Sequence, residues 1–228
     1  MLTDSPTVFL LDVDNTLLDN DRFTADLGER LQGAFGSVVR DRYWAIFASQ
    51  RKEAGYADYL AALQALRLEI DETPDLLRMS TFLLEYPFAE RLYPDALAVI
   101  AHLGAIGRTV VYSDGDIVFQ PRKIQRSGIW AAVEGRVLIP VHKERALASM
   151  QRNYPASHYV MFDDKPQLLA AMKRSLGDRL TTVFVRQGHY AQAPDAGAAD
   201  PAPDTTLAAI GDALGCGIAD FAPVRTCA

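Results

Sequence analysis

The stretch Val8 to Leu18 reads VFLLDVDNTLL. Four apolar residues, Val8 to Leu11, lead into Asp12 and Asp14, which are separated by one residue; Asn15 and Thr16 follow, and Leu17 and Leu18 restore the apolar character. An unbroken apolar run of this kind reads as a strand buried on both faces, as in a parallel sheet. The Asp-x-Asp-x-Thr segment then falls at the strand's carboxyl end, the edge where open α/β sheets bind ligands. Two carboxylates this close repel each other, so the pair calls for a cation or a shared proton. Taken alone, the same residues also describe an acidic turn, since Asp and Asn are ordinary turn formers. The rest of the chain decides between the two.

Directly behind this stretch the composition changes. From about Asp21 to Tyr86 candidate strands vanish and helical patterns replace them. Phe23, Leu27, Leu31 and Phe35 recur at four-residue spacing, one face of a helix that Gly33 and Gly36 bring to an end. Tyr43, Trp44 and Phe47 continue the pattern, as do Tyr56, Tyr59, Leu60, Leu63 and Leu66. Thr73-Pro74 opens another helix, Asp75 to Leu84, with proline at a favoured early position. A helical insertion is therefore expected over 20–87, and a main domain over 1–19 and 88–228.

An α/β pattern resumes at Pro94. Strands are expected at Thr109 to Tyr112, Arg136 to Val141, His158 to Phe162 and Thr181 to Val185. Helices are expected at Ala96 to Leu103, Gln120 to Ser127, Glu144 to Arg152, Gln167 to Arg174 and, last, Thr205 to Leu214. Strands alternating with helices indicate βαβ units and a parallel sheet. Right-handed crossovers then bring every strand's carboxyl end to one edge. The stretch 191–203, rich in Ala, Pro, Asp and Gly, reads as an irregular loop.

The 228-residue chain carries a formal net charge of −6, which argues against a nucleic-acid or anionic-membrane surface as partner. Its only cysteines, Cys216 and Cys227, would close no more than a short tail loop, so no disulfide framework is indicated and a reducing, cytoplasmic location is expected. The apolar run at Val8 has no basic lead and is cut by Asp12, unlike a secretory signal or a membrane span.

Three apolar strands end in polar clusters: Asp12 to Thr16, Ser113 to Asp116, and Asp163 to Lys165. A fourth cluster, His142-Lys143, follows the weaker strand and opens a helix. One sheet edge would gather all four, and their contents suit chemistry on a phosphate. Carboxylates hold a hard divalent ion. A hydroxyl and the N–H groups at a helix start hold anionic oxygens, and a lysine neutralises charge. One Asp can act as nucleophile while another carboxylate moves the proton.

With these four clusters in this order, the chain resembles the haloacid dehalogenase-like hydrolase superfamily. The first motif is matched by Asp12, Asp14 and Thr16, the second by Ser113, the third by Lys143 and the fourth by Asp163-Asp164. The resemblance covers roughly residues 6–20 and 90–190, and the helical insertion matches the cap that many members carry behind the first motif. It implies a Rossmann-like, three-layer α/β/α core with a parallel sheet plus an inserted α-helical cap. It also implies a Mg2+-dependent phosphatase acting on a small phosphorylated metabolite. Asp12 would be the nucleophile, Asp14 the acid and base, and Lys143 the charge-neutralising group. Thr16, Ser113, Asp114 and Lys143 would hold the substrate. Asp12, Asp14 (through its backbone carbonyl) and Asp164, with Asp163 beside it, would surround the metal.

Alternatives stay open at several positions. Asp116 could simply cap the helix that follows it. Lys123, inside that helix, competes with Lys143 but reads as a lysine on a solvated face, and Lys165 reads as solvent-facing. The commoner form of the fourth motif has a further Asp a few residues on; Gln167 stands nearby here. Family members that cleave C–halogen or C–P bonds lack the second Asp of the first motif, so Asp14 favours phosphate chemistry. The insertion's one lysine, Lys52, keeps a Schiff-base phosphonatase in view, and a phosphomutase or a non-catalytic binding module on the same fold are further rivals. In the insertion, Arg42, Tyr43, Trp44, Arg51, Tyr56 and Arg91 are candidates for a substrate pocket, against the commoner reading of aromatics as core and arginines as surface.

Overall fold

The computed structural model describes residues 7–71, 74–194 and 196–222. The start of the chain, Thr73 and Cys227 lie outside them.

Strand β1 (Thr7–Leu11) forms as its apolar run demands, with every residue buried. Its side chains alternate between two cores. Phe9 and Leu11 enter one cluster, Val8 and Leu10 the other. Burying each such side chain contributes about 1.5–3 kcal/mol, which explains why this strand sits at the centre of the sheet.

The chain then leaves for the cap: α1 (Asn20–Phe35), α2 (Ser37–Ala54), α3 (Tyr59–Leu66) and α4 (Pro74–Glu85). Asp19 caps α1 by accepting from the Arg22 N–H at 2.8 Å, and Asp58 caps α3 by accepting from Ala61 N–H at 2.8 Å. Phe23, Leu27 and Leu31 form the buried stripe of α1, as their spacing predicts. Gly33 lies within that helix, and Gly36 ends it. The cap's aromatic core, with Phe23, Tyr59, Tyr86 and Phe88 in edge or tilted contact, is continuous with the core under Phe9 and Leu11.

The main fold resumes with α5 (Ala96–Ile106), β2 (Arg108–Tyr112), α6 (Phe119–Arg126), α7 (Ile129–Ala132), β3 (Val137–Leu138), α8 (Leu147–Asn153), β4 (His158–Asp163), α9 (Pro166–Leu176), β5 (Leu180–Val185), α10 (Gly188–Ala191) and β6 (Thr205–Leu207). All six strands are parallel, in the order β3-β2-β1-β4-β5-β6. Helices α5, α6 and α7 cover the face of Phe9 through Val99, Leu103, Ile124 and Ile129; α8 and α9 cover the other face through Leu147, Met150, Leu169 and Met172. This is a Rossmann-like three-layer core with an inserted helical cap. Register sets Leu11 of β1 beside Val111 and Phe162, so the polar residues that follow β1, β2 and β4 emerge together at one edge.

Three expected elements differ. The strand expected over Arg136 to Val141 pairs only at Val137–Leu138, because Pro140 has no N–H to continue the ladder. The helix expected over Glu144 to Arg152 is broken at Ala146 into a 3-10 turn, Lys143–Arg145, and α8. The last helix, expected over Thr205 to Leu214, is instead the edge strand β6 followed by a 3-10 turn, Ile210–Gly215. Its two threonines suit a strand, and Asp204 anchors it by accepting from the Thr182 N–H and hydroxyl, both at 2.8 Å. Among the described residues, no helix is long and apolar enough to cross a membrane.

Candidate active site

Asp12 leaves β1 with its N–H donating to Phe162 O at 3.0 Å, which ties the end of β1 to the end of β4. The turn beyond it is set by Asn15, in the left-handed region at φ 60°, a conformation Asn tolerates better than most residues. Asn15 Oδ1 accepts from the N–H groups of Asn20 at 3.1 Å and Asp21 at 3.2 Å, so the same side chain starts the first cap helix. Gly188, at φ 68°, closes over it, and a Cβ there would lie 2.5 Å from Asn15 Cβ. The turn is thus built, as the spacing of Asp12 and Asp14 predicts, to turn carboxylates out at the sheet edge.

Lys143 is the hub beneath. It is fully buried, and its Nζ donates to Asp12 Oδ1 at 2.7 Å and Asp163 Oδ2 at 2.6 Å. Its backbone N–H donates to Asp114 Oδ1 at 3.0 Å, and its carbonyl accepts from the Tyr112 hydroxyl at 2.6 Å. The 3-10 turn in place of a regular helix start is what carries this side chain inward. Asp163 Oδ1 accepts from the Lys165 N–H at 2.9 Å. Asp12, Asp163 and Asp164 each offer a carboxylate oxygen, all within 4.8 Å of one another, and all three residues are buried.

The charges in this cluster do not balance. Burial pushes Asp12 up, yet Lys143 and Lys165 outweigh it and hold Asp12 below the usual carboxylate range. Burial opposes the charge on Lys143, and Asp12 and Asp163 overcome it, raising the lysine well above its ordinary value. Asp163 stays raised because burial and Asp12 exceed the pull of Lys143. Asp164 is pushed up to about 9 by burial and by the charges of Asp163 and Asp12. Both Asp164 oxygens and Asp12 Oδ2 are buried with no hydrogen-bond partner. Such atoms cost free energy unless something pairs with them. Three hard, anionic oxygen donors converging in this way fit a small divalent cation.

Asp14 points away from this cluster. Its Oδ1 accepts from Lys123 Nζ at 2.7 Å and its Oδ2 from Gln120 Nε2 at 3.3 Å. Ser113 is buried, and its Oγ accepts from the same Gln120 amide at 3.1 Å. Thr16 Oγ1 is buried without a partner. Asp116 holds the turn into α6, accepting from Val118 N–H at 2.8 Å and Phe119 N–H at 2.6 Å, which leaves it outside the cluster.

Above the site, a cavity of about 170 Å³ lies between cap and core. Asp14, Asp114 and Lys165 open onto it from the core, Arg51, Tyr56 and Tyr59 from the cap. Two contacts close its rim. Arg51 Nη2 donates to the Tyr190 hydroxyl at 2.6 Å, and the His142 ring packs on Gly55, where a Cβ would meet it at 2.5 Å. Of the six cap candidates, only Arg51 and Tyr56 line this cavity. Tyr43 is core, donating to Tyr59 O at 2.9 Å, and Trp44 stacks edge-on with Tyr43 and Phe47. Arg42 pairs with Glu69 at 2.6 Å on the surface, and Arg91 pairs with Asp26 at 3.1 Å.

Two lysines depart from expectation. Lys165 is not solvent-facing: it lines the cavity, with Nζ 5.3 Å from the Tyr190 ring centroid, and the nearby Asp12 charge keeps its pKa raised against the opposing effect of burial. Lys123 is not on a solvated face: it has no exposed surface. The signal for Lys123 was present in the helix wheel. Phe119 and Ile124, both core residues, flank it on α6, so position 123 falls inside the apolar arc.

An all-parallel sheet with an aspartate cluster at its carboxyl edge, roofed by helices inserted behind the first strand, is the architecture of a capped α/β hydrolase and is consistent with an aspartate nucleophile. No family model and no curated protein matches the chain. Among solved structures, a Burkholderia xenovorans protein with the provisional name of haloacid dehalogenase-like hydrolase is 55% identical, over 95% of this chain and 98% of its own, with a TM-score of 0.88. The chain belongs to the haloacid dehalogenase-like hydrolases. More distant structures share the fold. They include a haloacid dehalogenase-like hydrolase from Xanthomonas campestris (15% identity, 97% and 94% of the two chains, TM-score 0.66) and the L-2-haloacid dehalogenase of Xanthobacter autotrophicus (17%, 91% and 96%, 0.61).

Proposed function

We propose that this hydrolase cleaves small phosphate monoesters with the help of Mg2+. The observation that carries the reading is the set of buried, unpartnered oxygens on Asp12 and Asp164. A carboxylate nucleophile that works without a metal has no use for a further buried carboxyl, Asp164, neither of whose oxygens has a partner. Asp12 and Asp164 would hold the ion, with Asp163 and the backbone carbonyl of Asp14 beside them. When bound, it would neutralise phosphoryl charge and align the phosphorus with the nucleophile.

The chain's own groups would do the rest. Asp12 attacks phosphorus, and the bond from phosphorus to the ester oxygen breaks as an aspartyl-phosphate forms. Asp14 gives its proton to the departing alkoxide. A water then attacks the phosphorus, yields its proton to Asp14, and frees Asp12 and inorganic phosphate. Ser113, Thr16 and the amide of Asp114 are suited to hold phosphoryl oxygens, and Lys143 to offset the charge on nucleophile and phosphate. The cavity beyond Asp14, with Arg51, Tyr56 and Lys165 on its walls, is sized for a small metabolite.

The rival is a dehalogenase, a name carried by several proteins of the same fold, the Xanthobacter autotrophicus structure among them. In that reading Asp12 displaces halide from carbon and Asp14 has no proton to supply. A panel of phosphate monoesters and 2-haloacids, each with Mg2+ and with chelator, separates the two. Phosphate release that needs Mg2+ is the expected result. Halide release that persists in chelator, with no phosphate released, would replace this reading by the rival.

A further inference from the structure

Lys123 has no part in the chemistry described so far, yet its surroundings are unusual. Its Nζ donates to Asp14 Oδ1 at 2.7 Å and to Asn20 Oδ1 at 2.9 Å. Four aromatic rings surround it, Phe23 at 5.6 Å and Tyr59, Phe88 and Phe119 each at 5.8 Å from Nζ to centroid. Two of these, Phe23 and Tyr59, belong to cap helices, as does Asn20, the first residue of α1; Lys123 and Phe119 belong to the core. Asn20 also donates to the Tyr59 hydroxyl at 3.4 Å.

A lysine this deeply buried carries a desolvation cost that an apolar side chain of the same length would not. The aromatic faces and the single carboxylate offset it. What the arrangement gains is direction. With Oδ1 on Lys123 and Oδ2 on Gln120, both oxygens of Asp14 are fixed at the wall of the cavity.

We infer that Lys123 is a positioning residue: it aims the Asp14 carboxylate at the leaving-group side of the cavity, and it ties that aim to the seating of the cap through Asn20 and the ring cage. The inference rests on the phosphate-ester reading, in which Asp14 hands a proton to the departing oxygen. A group of this kind matters most when the leaving group is poor.

The test is kcat/KM with Mg2+ on p-nitrophenyl phosphate, whose leaving group needs little help, and on glycerol 2-phosphate, whose leaving group needs much. Wild type, Asp14→Asn, Lys123→Met and the double variant are compared. Lys123→Met is expected to lose roughly 10- to 100-fold on the alkyl ester and under about fivefold on the aryl ester, and the double variant is expected to be no slower than Asp14→Asn alone. An equal loss on both esters, or losses that multiply in the double variant, would overturn the inference while leaving the phosphatase reading intact. A wild type inert on both esters would remove the phosphatase reading, and the inference with it. If Lys123→Met fails to fold, Asn20→Ala serves instead. It removes the second anchor of the same ammonium, and a loss confined to the alkyl ester is expected; a loss on neither or on both alike would count against the inference.

Discussion

Two buried lysines, 20 residues apart in sequence, hold the two halves of this site in opposite ways. Lys123 sits in a closed arrangement: one carboxylate, one amide oxygen and four aromatic faces, with every polar atom partnered. Lys143 sits in an open one: it pairs with Asp12 and Asp163, and Asp164 beside them keeps two partnerless oxygens. The difference separates positioning from chemistry. A satisfied pair can only hold a shape. A cluster with a surplus buried carboxyl, its oxygens unpartnered, has capacity left for a cation and for a reacting group.

The comparison breaks hardest at Lys143. Lys143→Met strips Asp12 and Asp163 of the cation that hydrogen-bonds both, and removing one partner of a buried pair typically costs about 3–5 kcal/mol. Denaturant unfolding in metal-free buffer is expected to show a loss of that size. Lys123→Met is expected to lose less, because its partner Asp14 keeps 29% of its side-chain surface exposed and water can take the lysine's place. Equal losses would mean that the two sites do not differ as described.

A smaller effect sharpens the same contrast from the acidic side. Mg2+ at about 100 times its Kd is expected to stabilise the wild type by about 2.7 kcal/mol, read as a rise in Tm. Asp164→Asn is expected to abolish the rise, yet to be no less stable than wild type without metal, since it removes a buried unpaired carboxyl. A variant that kept the full Mg2+ response would assign the ion elsewhere.

How much of this was legible in the sequence depends on what signal each residue carries. Lys143, behind the weaker strand, stood out only through the family resemblance, whereas the strand of Val8 to Leu11 and the clusters behind β1, β2 and β4 follow from long apolar runs ending in polar residues. Such a pattern states its own position at the sheet edge. β6 did not, because three residues are too few to show a period and the apolar residues after it mimic a helix. Lys123 and Lys165 depart from the sequence expectation for a shared reason. A lysine is expected at the surface, and what buries these two comes from distant parts of the chain: Tyr190 and Asp12 for Lys165, and the cap's Phe23 and Tyr59 for Lys123. Only the flanking Phe119 and Ile124 announced the second case locally.

The smallest expected effect lies far from the cluster and serves as its control. His158, at the opposite end of β4, is held below its ordinary value of 6.5 by burial, with the carbonyl of Phe221 only partly offsetting this. The unfolded chain therefore takes up this proton first as pH falls. Its contribution to stability declines below pH 6.5 and levels off beneath the folded-state value. Unfolding free energies measured between pH 5 and pH 7 should show this slope in wild type and a shallower one in His158→Gln; unchanged slopes would remove His158 from the account.

Asp12→Asn tests the central claim most directly. The substitution preserves shape and leaves Lys143 its contact with Asp163. Phosphate release from a phosphate monoester in Mg2+, measured beside the melting curve of each protein, is expected to fall by about 10⁴-fold or more with the fold intact, the scale on which removal of a nucleophile acts. A folded Asp12→Asn enzyme that still turned over at a rate near wild type would contradict it.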